Sequence, residues 1–354
     1  MRCMKAVSLF SGAGGMDVGF ESAGFDIVFA NEMNHSAAET WRLNRPGREE
    51  AMLEGDIDDH IHRLSKHKRA EVVFGGPPCQ GFSVAGKMDP ADSRSQMVWR
   101  FMDAVEKVGP RVFVMENVAA LGKLSKWKGV RDGIVSRGES MGYKVSFKVH
   151  SVADYGVSEN RDRVLFIGVS KDLGDAAGFY DAISAYRASP PVARDVILSA
   201  GRYGTAENPR TCTAGITLAG RPVMRRSPYA GMLVNGAGRP IDLDGMVPTL
   251  PASMGGNKTP IVDELALNDR GVENWFVGYH AGLKEGTILP GEAVVPSTLR
   301  RLTVKECAAI QTFPHDYVFA GRKTEQYRQI GNAVPCRFAE AVANAVRDAY
   351  LSEV

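Results

Sequence analysis

Short apolar runs and longer amphipathic stretches alternate through the first half of the chain. Residues 6–10, 27–30, 72–75, 112–115 and 164–169 are β-branched or aromatic runs that read as strands, whereas 36–43, 97–108 and 130–141 repeat their apolar positions at helical spacing. Strands separated by helices predict a parallel sheet covered on both faces. In such open sheets ligands bind beyond the carboxyl ends of the strands, so chemistry is expected in the loops that follow these runs. From about residue 171 the pattern changes: 186–300 is rich in Gly, Pro, Asn and Thr, with few helical periods, and predicts a smaller, irregular, mostly β domain. Helical periodicity returns over 303–310 and 338–351, so the C-terminus is expected to rejoin the first domain.

Composition narrows the class. The chain has 354 residues, 44% hydrophobic and 24% charged, as in soluble globular proteins, and its length suits one large or two ordinary domains. Its apolar runs fall short of the roughly 20 residues that cross a bilayer, and the N-terminus reads as a first buried strand followed by glycines, not as a signal peptide. A cytoplasmic location is expected. Cys3, Cys79, Cys212, Cys307 and Cys336 are scattered without C-x-x-C spacing, which predicts reduced thiols and argues against a zinc site. The formal charge of +2 does not by itself announce a nucleic-acid binder. The local basic clusters at 60–69 and 221–226 are either solvated faces or contacts for an anionic partner.

The loops carry the candidate chemistry. Phe10-Ser11-Gly12-Ala13-Gly14-Gly15 follows the first strand and leads into a helix over 17–23, a turn that would let a ligand approach the backbone or would simply be tight. Glu32, about 20 residues beyond that glycine loop, stands where such folds grip ribose hydroxyls, so the pair suggests a nucleoside-containing cofactor. Asp56 is either a carboxylate for an adenine amino group or a helix N-cap. Residues 74–83, F-G-G-P-P-C-Q-G-F-S, fix two φ angles before Cys79 and flank it with Gly75, Gly76 and Gly81. This presents a thiol in one orientation beside something that must come close, and marks Cys79 as a nucleophile. With an ordinary thiol pKa of about 8.5 it needs a positive partner or a helix dipole. Glu116 follows the run 112–115, and Arg161 and Arg163 precede 164–169 with the i, i+2 spacing that turns both to one side of a strand. Alternating Arg and Asp there could also be an exposed ion-pair ladder.

Taken together these residues resemble the DNA (cytosine-5)-methyltransferases of the bacterial restriction-modification kind. The resemblance is carried by F-S-G-A-G-G at 10–15, G-G-P-P-C-Q-G-F-S at 75–83, D-S-R at 92–94, E-N-V at 116–118, E-N-R-D-R at 159–163, R-L-T-V-K-E-C-A-A-I-Q-T-F-P at 301–314 and Q-I-G-N-A-V-P at 329–335. Their order and spacing match the family, and they cover nearly all of the chain outside 175–295.

The resemblance implies a Rossmann-like S-adenosylmethionine-dependent α/β domain with a mixed, mostly parallel sheet, and a target-recognition domain. The expected division is 1–174 for catalysis and cofactor, 175–300 for target recognition and 301–354 for a hinge and returning segment. It implies attack of Cys79 on carbon 6 of a flipped-out cytosine, so that carbon 5 accepts a methyl group. Glu116 would serve ring nitrogen 3 and the exocyclic amino group, Arg163 the carbonyl oxygen, and Arg161 would support the site. For S-adenosylmethionine, leaving as S-adenosylhomocysteine, it implies Phe10, Gly12 and Gly14 at the methionine end and Glu32 at the ribose. Met33 would meet an adenine face, unless it is core packing; Asp56 and Ile57 would meet the adenine edge, with Pro78 and Asn332 completing the pocket. No metal is implied. The loop 83–96, with Ser83, Lys87 and Arg94, would close over the flipped base and touch DNA, or be a plain surface loop. Thr249, resembling half of the family's Thr plus aliphatic pair with Leu250, and Asn257 and Lys258 are candidates for DNA contacts, although turn chemistry also explains Gly255-Gly256-Asn257.

The implied partners are double-stranded DNA and a cognate restriction endonuclease acting on the same site without a stable complex; the chain is expected to be a monomer, associated with the nucleoid through DNA. One departure stands out: Glu159 occupies a position where the family usually has Gln, changing the charge beside Arg161, and activity is expected to survive it. Transfer-RNA cytosine methyltransferases on the same scaffold typically carry Cys-Phe-Thr, which this sequence lacks. A nicotinamide oxidoreductase leaves the Pro-Pro-Cys turn and the arginines unexplained, and a non-catalytic DNA-binding regulator does not need Cys79, Glu116 and Arg163 together.

Overall fold

A seven-stranded sheet organises the molecule, in the order β3-β2-β1-β4-β5-β8-β6. The strands are β1 (Met4–Leu9), β2 (Phe25–Glu32), β3 (Met52–Glu54), β4 (Val72–Gly75), β5 (Val112–Val118), β6 (Tyr143–Ser151) and β8 (Asp162–Ser170); β7 (Glu159–Asn160) lies outside it. The computed structural model describes residues 4–78 and 96–351. β1 to β5 pair in parallel, and β8 runs antiparallel to both β5 and β6, so a single reversed strand makes the sheet mixed. The sheet is therefore mixed and mostly parallel, as the resemblance implies.

Alternation within each strand divides the core into two layers. Val112, Val114, Leu165 and Ile167 face the helices Gly15–Ser22, His35–Leu43, Ala177–Ser184 and Cys336–Tyr350. Phe113, Met115 and Phe166 face Met97–Val108 and Lys128–Ser140. The C-terminal helix Cys336–Tyr350 packs directly on Gly15–Ser22, and Gly19 makes that approach possible, since a Cβ there would lie 2.4 Å from the Glu340 backbone nitrogen. Phe179 and Ile183 of the helix Ala177–Ser184 join the same core as Phe338 and Val342.

Residues 186–300 are irregular, as their turn residues predict, but not mostly β. Among the described residues the short strands Leu218–Val223, Met232–Val234, Val247–Pro248, Ile261–Asp263 and Leu299–Arg301 are outweighed by the helices Ala193–Ser199, Glu264–Asn268 and Trp275–Glu285. The last is capped by Asn274, whose side chain accepts from the Phe276 N–H, and ends at Gly286 with φ 77°. Its nearly continuous apolar stretch hides the helical period. Of the free thiols, Cys307 and Cys336 are buried and Cys212 half-buried. Among the described residues no helix is long and apolar enough to cross a membrane.

Candidate active site

The carboxyl ends of β1, β2, β4 and β5 converge on one edge of the sheet, and the candidate side chains gather there. Phe10 and Gly12 follow β1 with φ of 54° and 56°, and Gly14, with φ 81°, caps the helix Gly15–Ser22. Open space lies where a Cβ on Gly12 would point, whereas one on Gly14 would press on Arg45, Tyr317 and Trp41. This loop is braced from below. The Tyr317 hydroxyl donates to the Ala13 carbonyl at 2.6 Å, and Trp41 Nε1 donates to Asp17 at 2.8 Å.

Glu32 ends β2 and ties the glycine loop down. Its Oε2 accepts the Gly12 N–H at 2.8 Å and its Oε1 the Asn34 N–H at 2.7 Å. Burial raises its pKa, and these backbone donors oppose the rise. Met33 next to it is 70% exposed, which removes core packing as the explanation for it. Asn31 Nδ2 donates to the Leu53 and Gly55 carbonyls at 2.9 and 3.1 Å and so positions the following loop. There Asp56 caps the short helix Ile57–His60, its side chain accepting the Asp58 N–H at 3.0 Å, while the Ile57 side chain is buried in the core. Asn332 is exposed at the end of the helix Lys323–Asn332.

Glu116 lies within β5, at its carboxyl end, directly beside the Gly-Gly-Pro-Pro turn. A Cβ on Gly76 would sit 2.7 Å from Glu116 Oε2, so only glycine admits the carboxylate here. Gly75 likewise would meet the Leu9 carbonyl at 2.1 Å. Asn117 Nδ2 donates to the Pro77 carbonyl at 3.1 Å and pins the turn to β5, a role that sequence reasoning missed although E-N-V was in view. Pro78 is exposed. Cys79, and with it Ser83, Lys87 and Arg94, lies outside the described residues.

β8 runs antiparallel to β5, pairing Arg163 with Val118, and its Arg163 Nε reaches Glu116 Oε1 at 2.6 Å. Burial raises the Glu116 pKa; Arg163 and then Arg161 pull it back. Arg161 is also buried, donating from Nη2 to the Gly331 and Ala333 carbonyls at 3.0 and 3.1 Å on either side of Asn332. Its Nε finds no partner among the described residues. The alternative of an exposed ladder of alternating Arg and Asp is thereby excluded for Arg161 and Arg163, which turn inward to Glu159 and Glu116, while Asp162 pairs with Lys123 at 2.6 Å on the surface.

The recognition candidates separate. Thr249 donates from its hydroxyl to the Asn160 carbonyl, and Leu250 is buried against Glu159. Asn257 and Lys258 are exposed in a turn that begins at Gly255, φ 102°. The basic cluster at 60–69 lies on a short helix and 3₁₀ turns with only Leu64 buried, and Arg221, Arg225 and Arg226 are exposed in and just beyond the first strand of a two-stranded hairpin.

The chain matches the C-5 cytosine-specific DNA methylase family over residues 4–192 and 260–348. It is 33% identical to the type II methyltransferase M1.HphI of Haemophilus parahaemolyticus over 97% of this chain and 87% of that protein. It is also 33% identical to the type II methyltransferase M.PspPI of a Psychrobacter strain, over 98% and 79% of the two chains. A solved chain encoded within an E. coli prophage shares the fold with a TM-score of 0.68 at 22% identity, covering 99% of this chain and all 100% of that one. A sheet with one reversed strand, a glycine loop tied to an acidic strand end, a buried Glu–Arg pair beside a Pro-Pro-Cys sequence, and these matches together place the chain in the C-5 cytosine-specific DNA methylase family, as a sequence-specific DNA cytosine methyltransferase.

Proposed function

We propose that the chain methylates carbon 5 of a cytosine swung out of duplex DNA, through a transient bond between Cys79 and carbon 6, with Glu116 and Arg163 holding the base. The observation that carries this reading is the buried Glu116–Arg163 pair, 2.6 Å apart, against the turn that leads directly into Cys79. A base within the stack cannot reach so recessed a pair, hence the need for flipping.

Addition of the Cys79 thiolate to carbon 6 places negative charge on the ring. Glu116, its pKa raised by burial, is suited to donate a proton to ring nitrogen 3, which leaves the ring a neutral enamine with carbon 5 still nucleophilic, and to take that proton back when the thiolate leaves. Arg163 Nε engages Glu116 and its Nη1 donates to the Asp162 carbonyl at 2.8 Å, which holds the guanidinium plane beside Glu116, where it would meet the cytosine carbonyl oxygen. Loss of the carbon 5 proton then breaks the bond from carbon 6 to sulfur and releases the thiolate. Asn117 and Gly76 hold the turn and the carboxylate in register for these steps.

The family uses S-adenosylmethionine, and the residues present fit it: the open space over Gly12 and the carboxylate of Glu32 at the next strand end make a cradle bordered by exposed Met33 and Asp56. Phe10, Gly12 and Gly14 would hold its methionine end, Glu32 its ribose, Met33 and Asp56 its adenine, with Ile57, its side chain buried in the core, offering only its backbone there, and Pro78 and Asn332 closing the pocket. When bound it supplies the methyl group that carbon 5 accepts. Residues 1–174 and 301–354, with the helix Ala177–Ser184 packed into their core, form the catalytic unit in this reading, so the boundary expected at 174 moves past that helix, and the remainder up to 300 recognises the target, with Thr249, Asn257 and Lys258 as DNA contacts. It acts as a monomer in the bacterial cytoplasm on nucleoid DNA, beside an endonuclease of the same specificity.

Mechanism is tested with a duplex in which 5-fluorocytosine replaces the methylated cytosine. Fluorine at carbon 5 blocks the loss that releases the thiolate, so with cofactor present a protein–DNA complex stable to denaturing electrophoresis is expected, and C79S should form none. Absence of that complex, on DNA whose ordinary cytosine is methylated by the same preparation, would exclude the covalent step.

A further inference from the structure

Glu159 stands where the resemblance leads one to expect glutamine, and its surroundings explain the acid. The side chain is 0% exposed, and each of its hydrogen-bond neighbours is a donor. Oε1 accepts the Leu250 N–H at 2.6 Å and faces Arg161 Nη1 at 3.4 Å; Oε2 accepts Gln311 Nε2 at 3.1 Å. A carboxylate accepts on both oxygens, whereas an amide would set its own N–H₂ against one of these donors. It also gives the buried Arg161 guanidinium a counter-charge, without which burial would be costly.

The three donors come from three parts of the chain. Leu250 belongs to the segment proposed to recognise DNA, Gln311 ends the helix Val304–Ile310, and Arg161 leads into β8. A backbone seam runs alongside: Val247 and Pro248 pair in parallel with Glu159 and Asn160, and the Val247 N–H donates to the Ser158 carbonyl at 3.2 Å. Arg161 Nη1 also reaches the Leu250 carbonyl at 3.3 Å. Two residues beyond Arg161, Arg163 meets Glu116.

We propose that Glu159 is a positioning residue whose carboxylate fastens the recognition segment Val247–Leu250 to the strand bearing Arg161 and Arg163, so that seating on the target is coupled to the geometry of the Glu116–Arg163 pair. The inference deepens the reading of that pair as the active site and rests on it.

Charge and packing can be separated, because Gln311 Oε1 has no partner among the described residues and the Gln311 amide can turn over. E159Q then keeps its shape and its neighbours but removes the counter-charge that faces Arg161 at 3.4 Å, leaving it only the pull of Glu116. The swap E159Q/Q311E returns a carboxylate to the cluster, and E159L removes both acceptors.

The test uses the full chain and two readouts: single-turnover methyl transfer to a duplex carrying the site mapped by bisulfite sequencing, and the same rate on duplexes with one base pair of that site altered. Cofactor affinity and Tm are measured in parallel. E159Q should slow transfer about tenfold, the worth of one hydrogen bond to a charged group, with cofactor affinity within about twofold. Its ratio of mapped to altered sites should fall, E159Q/Q311E should recover most of the loss, and E159L should lose more. Transfer and discrimination at wild-type level in both E159Q and E159L would overturn the proposal. So would losses that follow Tm and cofactor affinity together with no recovery in the swap, which is the signature of packing alone. E116Q, run alongside, tests the site reading separately: an active E116Q contradicts that reading, while the discrimination ratio of the position 159 variants still judges Glu159.

Discussion

The strands β4 and β5 bury Val72, Val73, Phe74 and Val112 to Met115 completely, while in the recognition region and at its end Arg194, Arg300 and Arg301 are buried among the apolar side chains. In the sheet, ladder hydrogen bonds satisfy the backbone, so the core between the layers can be wholly apolar. Loops have no ladder, and here guanidinium groups satisfy the carbonyls instead. Arg194 donates to Ala266 and Leu267, and Arg301 to Ala214, Asn257 and Thr259, the last at 2.8 Å. Arg300 pairs with Glu264 and Glu306. The sheet is stabilised by buried area between its layers, and the recognition region by smaller apolar clusters, such as Leu233, Val234, Ile261 and Phe276, joined by planar cations that collect several acceptors each.

That contrast can be broken at graded points. F113A empties the space between Phe101 and Tyr143 in the apolar layer and should cost about 3–5 kcal/mol, lowering the Tm of the whole chain and its cofactor affinity together. R301M should cost about 2–4 kcal/mol by leaving buried carbonyls without donors. Its damage should be local: hydrogen exchange should speed up around 214–259 while cofactor affinity is kept, and equal loss of both would erase the distinction between the two halves. D17N probes the one acid beneath the glycine loop, whose pKa burial pushes up to about 6 from 3.8, against the pull of Arg45. The folded state then holds a proton that the unfolded state releases, so stability falls as pH rises from about 4 through about 6 and stays low above it. D17N, which still accepts from Trp41, should therefore stabilise the fold at pH 8 by on the order of 2–3 kcal/mol, seen as a higher Tm, and gain little at pH 4. K128A removes the exposed Lys128–Asp132 pair and should change stability by less than about 0.5 kcal/mol.

The same contrast governs what the sequence could show. β4 and the helix Met97–Val108 stand where periodicity puts them, because a face buried against a sheet imposes its period on the residues. β3 is three residues long and β6 alternates Lys144 and Lys148 with apolar residues along the sheet edge, so neither made a continuous apolar run. The reversal of β8 is set by its neighbours and leaves no local mark. Glu32, Glu116, Arg161 and Arg163 were legible because strand ends project them toward one place. Asn117 on Pro77, 40 residues apart, and Leu250 and Gln311 on Glu159, 91 and 152 residues apart, were not, since such contacts exist only after folding.

The central claim, that the Glu116–Arg163 site methylates cytosine at carbon 5, is tested most directly by bisulfite sequencing of plasmid DNA from cells expressing the intact chain or E116Q. Protected cytosines confined to one short motif with the intact chain, and lost with E116Q, are the expected result. No protected cytosine with the intact chain, or the same protection with E116Q, would contradict it.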